Sequence, residues 1–134
     1  MKGKCRLCDE DRDLRESHVI PSFVYKWLKE TSGTEFLRFG LEPNKRKQDG
    51  YKLYWLCAEC EDRLNHWETK FANRIFHPLN NGAINKIAYG PWLLKFCVSV
   101  SWRVMNHMQE DFDISHYPKN LKNCALSAQK IWKE

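Results

Sequence analysis

Residues 51–61 read Tyr51-Lys52-Leu53-Tyr54-Trp55-Leu56-Cys57-Ala58-Glu59-Cys60-Glu61. The first six are crowded with aromatic and apolar side chains that suit a pleated, half-buried strand. From Ala58 the pattern changes. Leu64, Trp67, Phe71 and Ile75 recur at helical spacing and predict a helix over about 58–76. Cys57 and Cys60 therefore stand where a strand hands over to a helix. A two-residue gap lets one tight turn present both sulfurs to a single ion. The same spacing occurs once more, in Cys5-Arg6-Leu7-Cys8. Two such pairs supply four soft ligands, the donor set of a closed tetrahedral zinc site. A redox Cys-x-x-Cys needs one motif in a βαβ setting, and that setting is missing. The sequence thus predicts one structural Zn²⁺ held by Cys5, Cys8, Cys57 and Cys60, whose loss unfolds this end of the chain.

Upstream of this stretch, Leu14 to Ile20 reads as a short strand closed by Pro21, which also suits the first turn of a helix. Phe23, Val24, Trp27 and Leu28 recur at helical spacing up to a stop near Gly33. Thr34 to Phe39 reads as a strand. A Pro/Asn/Gly loop follows, carrying Lys45-Arg46-Lys47 and ending at Asp49-Gly50. Downstream, His77-Pro78 and Asn80-Asn81-Gly82 are expected to end the zinc-bearing helix. Trp92 to Met108 predicts an apolar helix forming a buried spine. Pro118 opens a last helix with Leu121, Cys124, Ala128 and Ile131 on one face. Cys97 and Cys124 stand alone on apolar faces and are expected as small core residues. The order is knuckle, strand, inserted helix, strand, helix and two more helices. This is an α+β, helix-dominated single domain over 1–134, with a zinc-bound core in 1–78 and a helical extension, 79–134, packed on it.

The chain has 134 residues, 43% of them hydrophobic and 29% charged, a globular rather than a disordered composition. Its net charge of +5 permits a polyanionic partner without demanding one. The opening Met-Lys-Gly-Lys-Cys-Arg-Leu-Cys has no apolar run behind it, and Lys95 and Arg103 interrupt the longest apolar stretch. The expectation is a cytoplasmic protein with no membrane partner, its six cysteines being thiols rather than disulfides.

Three segments in order, Cys5-x-x-Cys8, then Ser17-His18-Val19-Ile20-Pro21, then Trp55-Leu56-Cys57-x-x-Cys60-Glu61, carry a resemblance. A knuckle giving two ligands, a hairpin, and a helix start giving two more resembles a treble clef. Within that class the pattern is similar to the HNH, or ββα-metal, endonucleases. Many of these read Cys-x-x-Cys, Asp-His-Ile-x-Pro, and Leu-Leu-Cys-x-x-Cys followed by His or Asn. It looks still more like a group of bacterial HNH-like proteins that add an apolar helix with Ser-x-x-Trp-Arg, here Ser99-Val100-Ser101-Trp102-Arg103. The resemblance covers about 5–68 for HNH and extends to about 105 for the smaller group.

The resemblance implies a DNA-cleaving hydrolase. His18 falls on the general base that takes a proton from the attacking water, work an imidazole side chain can do near neutral pH. Glu61 falls on a ligand of the catalytic Mg²⁺ or Mn²⁺, hard cations that prefer oxygen. Asn65 and Glu68 follow it on the same helical flank. Lys45, Arg46, Lys47 and Lys52 could touch phosphates on such a scaffold. Three positions depart from the family. Ser17 replaces the metal-binding Asp, Glu61 replaces the usual His or Asn, and the Asn that orients the histidine has no counterpart, although Asp49 and Lys52 lie nearby. Each site residue also has a bland reading. His18 can be a structural histidine, the basic run can be a solvated loop, and the helix dipole favours a first-turn carboxylate by about 0.3–1 kcal/mol without any function. The alternative is a catalytically inactive zinc module that binds nucleic acid or a partner protein. A further setting is a larger bacterial complex whose partner supplies targeting, which an exposed Trp92 or Trp132 would favour.

Overall fold

The computed structural model describes residues 1–134. Strand β1 (Lys2–Lys4) pairs antiparallel with β2 (Asp11–His18), and the helix α1 (Ser22–Thr31) follows. Strands β3 (Leu37–Phe39) and β4 (Glu42–Lys47) form a separate two-stranded ribbon. Strand β5 (Lys52–Cys57) returns to pair antiparallel with β2, so the main sheet has the order β1-β2-β5. Its register sets Leu14 opposite Cys57 and His18 opposite Lys52, with a bulge between Arg15 and Glu16. Helix α2 (Ala58–Phe71) begins directly after β5 and continues through a π-helical segment, Ala72–Phe76, into the short helix α3 (His77–Asn80). Helices α4 (Pro91–Asp111) and α5 (Lys119–Trp132) complete a mixed α and β fold of four helical rods and two small sheets. No helix is long and apolar enough to cross a membrane.

The core is built around the sulfurs. Cys5, Cys57 and Cys60 are buried among Leu7, Leu14, Val19, Trp55, Leu56 and Leu64, with Trp102 of α4 closing the cluster. Burying each of the larger apolar side chains contributes about 1.5–3 kcal/mol. The rods lock to one another through aromatic rings. Phe71 of α2 stacks on Phe96 of α4 at 4.0 Å, and Phe23 of α1 meets Phe76 edge-on at 4.9 Å.

Several sequence expectations give way here. His77-Pro78 does not end the second rod. Pro78 has no N–H and would crowd the carbonyl of Arg74 in a regular helix; a wider turn, in which the His77 N–H reaches the Ala72 carbonyl, accommodates it. The break comes at Asn81-Gly82, where Gly82 takes φ +74°. The buried stripe of this rod is Cys60, Leu64, Glu68, Ala72 and Ile75, with Trp67 and Phe71 half-buried beside it. Residues 42–47 form a strand rather than a loop. Helix α4 is a spine on one face only, burying Phe96, Ser99, Trp102 and Arg103 while Leu94 is 68% exposed. Cys97 and Cys124 are exposed rather than core. Leu121 and Ile131 also face out, because α5 packs through Ala125, Ala128, Gln129 and Trp132 instead. Trp92 and Trp132 are half-buried rather than fully exposed.

Candidate metal centre and the adjoining cleft

The knuckle Cys5–Cys8 is a tight turn fixed by its own backbone. The Asp9 N–H donates to the Cys5 carbonyl at 2.9 Å, and the Arg6 N–H donates across to the Trp55 carbonyl of β5 at 2.9 Å. Asp9 takes φ +61°, a left-handed conformation that Asp tolerates better than most side chains. Its carboxylate pairs with Lys133, which ties the end of α5 to the knuckle. The second pair arrives from the junction of β5 and α2. All four sulfurs lie within 4.8 Å of one another, Cys8 Sγ and Cys57 Sγ being 4.0 Å apart. Thiolates about 2.3 Å from a tetrahedral zinc stand roughly 3.8 Å from each other, so the cluster has the dimensions of such a site.

The thiols of Cys5 and Cys60 are pulled in opposite directions. Burial by itself would raise the Cys5 thiol, but the N–H groups of Cys8, Cys57 and Leu7 aimed at its sulfur hold it at about 6. The Cys57 N–H reaches that sulfur at 3.3 Å. Cys60 goes the other way: burial, and then the crowding thiols of Cys57 and Cys5, push it far up. Four thiolates this close repel one another, and a divalent ion removes the conflict. The residues fit zinc in donor type, number and spacing.

At the far end of the same strand pair lies a polar cleft of about 620 Å³. His18 from the end of β2, Asp49 from the turn before β5, Asn65, Glu68 and Asn73 from the second rod, and Lys26 and Lys29 of α1 line it. His18 Nε2 is 2.9 Å from Asp49 Oδ1, and its ring rests 5.7 Å from that of Tyr25. The other Asp49 oxygen takes Lys52 Nζ at 2.6 Å. Burial works against the Asp49 charge, but Lys52, His18 and the Gly50 N–H together hold its carboxyl well below the usual carboxylate range. Asp49 is therefore an ionised, acceptor-only group that fixes the histidine ring.

Behind this wall sits a buried ion pair. Arg103, 1% exposed, extends from α4 to Glu68 and donates through Nη1 to the His18 carbonyl at 3.1 Å and through Nε to the Ser99 carbonyl at 3.4 Å. One guanidinium thus joins α4 and α2 to the end of β2. Burial raises the Glu68 carboxyl, with Arg103 pulling against it and the Glu61 charge adding to the rise.

The sequence-nominated residues fall into three groups. The four cysteines converge, and His18, Asn65 and Glu68 share the cleft. Glu61 lies beside Glu68 but not among the cleft-lining residues, and its Oε2 is buried with no hydrogen-bond partner. Ser17 is 1% exposed, and its hydroxyl donates only to the Arg15 carbonyl at 3.5 Å, so it offers nothing to the cleft. Lys52 is half-buried and committed to Asp49 and Glu16, whereas Lys45, Arg46 and Lys47 stand exposed on the ribbon. Sequence reasoning missed Arg103 as a clamp, and it set Asp49 and Lys52 near the histidine without choosing Asp49 as its partner. The signal for the first was a cation inside an apolar helix, and for the second an Asp-Gly turn before a strand. Comparison of the chain with family models, with curated proteins and with solved structures gives no match.

Proposed function

We propose that the chain is an HNH-like, metal-dependent endonuclease, in which a treble clef closed by zinc on Cys5, Cys8, Cys57 and Cys60 presents His18 to a phosphodiester of DNA. The observation that carries this reading is the His18–Asp49 hydrogen bond at the wall of an open polar cleft. With Asp49 ionised, Nε2 must carry the hydrogen that the carboxylate accepts, and in the neutral ring that leaves Nδ1 bare. A bare ring nitrogen, held in orientation by a carboxylate, is what a general base needs to take a proton from water as that water attacks phosphorus. Lys26 and Lys29 also line the cleft and suit the phosphate charge. Arg103, through the His18 carbonyl, fixes the backbone from which the base projects. The orphaned Glu61 Oε2 is a buried oxygen that a cation would satisfy. A catalytic Mg²⁺ or Mn²⁺ would be held by Glu61, with Asn65 and Glu68 beside it, and would supply positive charge for the leaving oxygen.

Nicking of supercoiled plasmid with Mg²⁺, Mn²⁺ or Ni²⁺ tests this. Wild type should nick, and His18→Ala should be slower by roughly 10²–10⁴-fold, the usual worth of a general base. Equal nicking by both proteins, or none by either, overturns the reading. The second reading, a zinc module without catalysis, draws its support from Ser17, which stands where the family has its metal-binding Asp and is buried without offering an oxygen to the cleft. A protein that binds DNA and never nicks it would decide for that alternative.

A further inference from the structure

We propose that the β3–β4 ribbon is a reader of duplex DNA that lies in the major groove. The inference rests on the nucleic-acid reading above and deepens it by naming B-form double-stranded DNA as the substrate.

The ribbon stands clear of the core, and every residue of β4 is exposed. From Leu37 to Lys47 it carries four cations, Arg38, Lys45, Arg46 and Lys47, against one anion, Glu42. Its one salt bridge joins Lys45 to Glu42, so Arg38, Arg46 and Lys47 have no carboxylate partner. The register sets Arg38 directly opposite Arg46. Like charges facing each other across a strand pair are unfavourable, and a two-stranded ribbon alone in water is marginal to begin with. A polyanion would relieve that repulsion. The only partners of two of these cations are aromatic rings: Arg46 lies over Phe36 at 5.0 Å, and Lys47 lies over Phe39 at 4.8 Å.

The dimensions choose between nucleic acids. The major groove of B-form DNA, about 12 Å wide, admits a two-stranded ribbon, whereas the deep, narrow major groove of A-form RNA does not. Arginines there can pair with guanine edges while lysines meet phosphates. The ribbon also leads to the cleft. Gln48 and Asp49, the residues that follow β4, line the cavity with His18, and Lys29 donates to the Gln48 carbonyl at 2.8 Å. A duplex seated on the ribbon would bring its backbone to His18.

The test is fluorescence anisotropy with a short labelled DNA duplex over a salt series, run beside the nicking assay. Lys45→Gln/Arg46→Gln/Lys47→Gln should bind at least about tenfold more weakly, with a salt slope smaller by about 2, one for each lysine that meets a phosphate. A control with the same charge loss elsewhere, Lys86→Gln/Lys119→Gln/Lys130→Gln, should bind like wild type. Zinc content and circular dichroism check that each variant is folded. If the ribbon variant fails to fold, Lys47→Gln alone should lower the slope by about 1. Equal losses in the ribbon and control variants overturn the proposal even if the protein nicks plasmid. Binding RNA duplex or single-stranded DNA as tightly as DNA duplex overturns it as well, and so does failure to bind DNA at all. Ribbon-dependent binding without nicking upholds the ribbon and removes the endonuclease.

Discussion

The two ends of the β2–β5 strand pair are held by unlike means. Where Leu14 faces Cys57, the strands run into four sulfurs gathered within 4.8 Å and wrapped by the apolar core. Where His18 faces Lys52, they run into an open polar cleft, and a single guanidinium from α4 does the holding. The first end can be closed by coordination bonds to one ion, strong and indifferent to the sequence around them. The second depends on a buried charge whose worth rests wholly on its partners. The sulfur cluster thus lies at one end of the strand pair and the polar cleft at the other.

Stripping the metal tests the stronger end and should have the largest effect. Apparent zinc free energies of about 10–16 kcal/mol exceed or match the whole stability of a typical domain. Removing the ion with a chelator, or Cys57→Ser, should abolish cooperative thermal unfolding followed by circular dichroism. Elemental analysis of the untreated protein should find one zinc per chain. A chain that melts cooperatively without metal would erase the contrast between the two ends.

The ion pair tests the weaker end. Arg103→Met leaves the Glu68 carboxylate buried without its cation and should cost about 3–5 kcal/mol in urea unfolding. Arg103→Met/Glu68→Leu should recover much of that loss, since an apolar pair has no charge to desolvate. Loss of metal affinity in Arg103→Met would mean that the two ends are coupled. The pH dependence sharpens the point. Glu68 sits above its ordinary value, mainly through burial. The folded chain therefore binds this proton more readily than the unfolded one. Its contribution favours folding below about pH 4.3 and is lost as pH rises through the folded value. Glu68→Gln should flatten stability over that window. Arg103→Met, with the opposing pull gone, should lose stability more steeply as pH rises.

The same contrast governs what the sequence could reveal. Coordination demands one residue type at a fixed local spacing, so Cys5/Cys8 and Cys57/Cys60 were legible by inspection, as was the strand-to-helix junction bearing the second pair. Arg103 advertised a need for a partner by interrupting an apolar run. Nothing local could name the His18 carbonyl or Glu68, because those contacts form only when α4 packs. The ribbon hid for another reason. Pro43 and Asn44 depress β propensity, yet an uncovered two-stranded pair is all edge and tolerates proline. Cys97 and Cys124 were misplaced because α4 and α5 carry apolar side chains on more than one face, and packing alone selects which is buried.

Asp49→Asn makes the smallest expected change in stability, and that is its use. The Asp49 side chain is 42% exposed, so solvent screens its pairs with His18 and Lys52, and losing the charge should cost less than about 1 kcal/mol near pH 7. The sign of its pH dependence is opposite to that of Glu68. With its carboxyl held below the usual range, Asp49 contributes above the unfolded value near 3.9, and the contribution fades as pH falls through the folded value. Wild type and Asp49→Asn should differ slightly and constantly from about pH 5 to 7, then converge in acid. Taking the difference between the two proteins cancels the acid sensitivity of the cysteine site, which they share. Nicking should behave otherwise. An amide can offer its N–H to Nε2 and so place the ring hydrogen on Nδ1, the nitrogen that must stay bare, and activity should fall by orders of magnitude while the fold barely responds. A variant that lost stability and activity in proportion would make Asp49 a brace for the strand end instead of the group that sets the histidine's working tautomer.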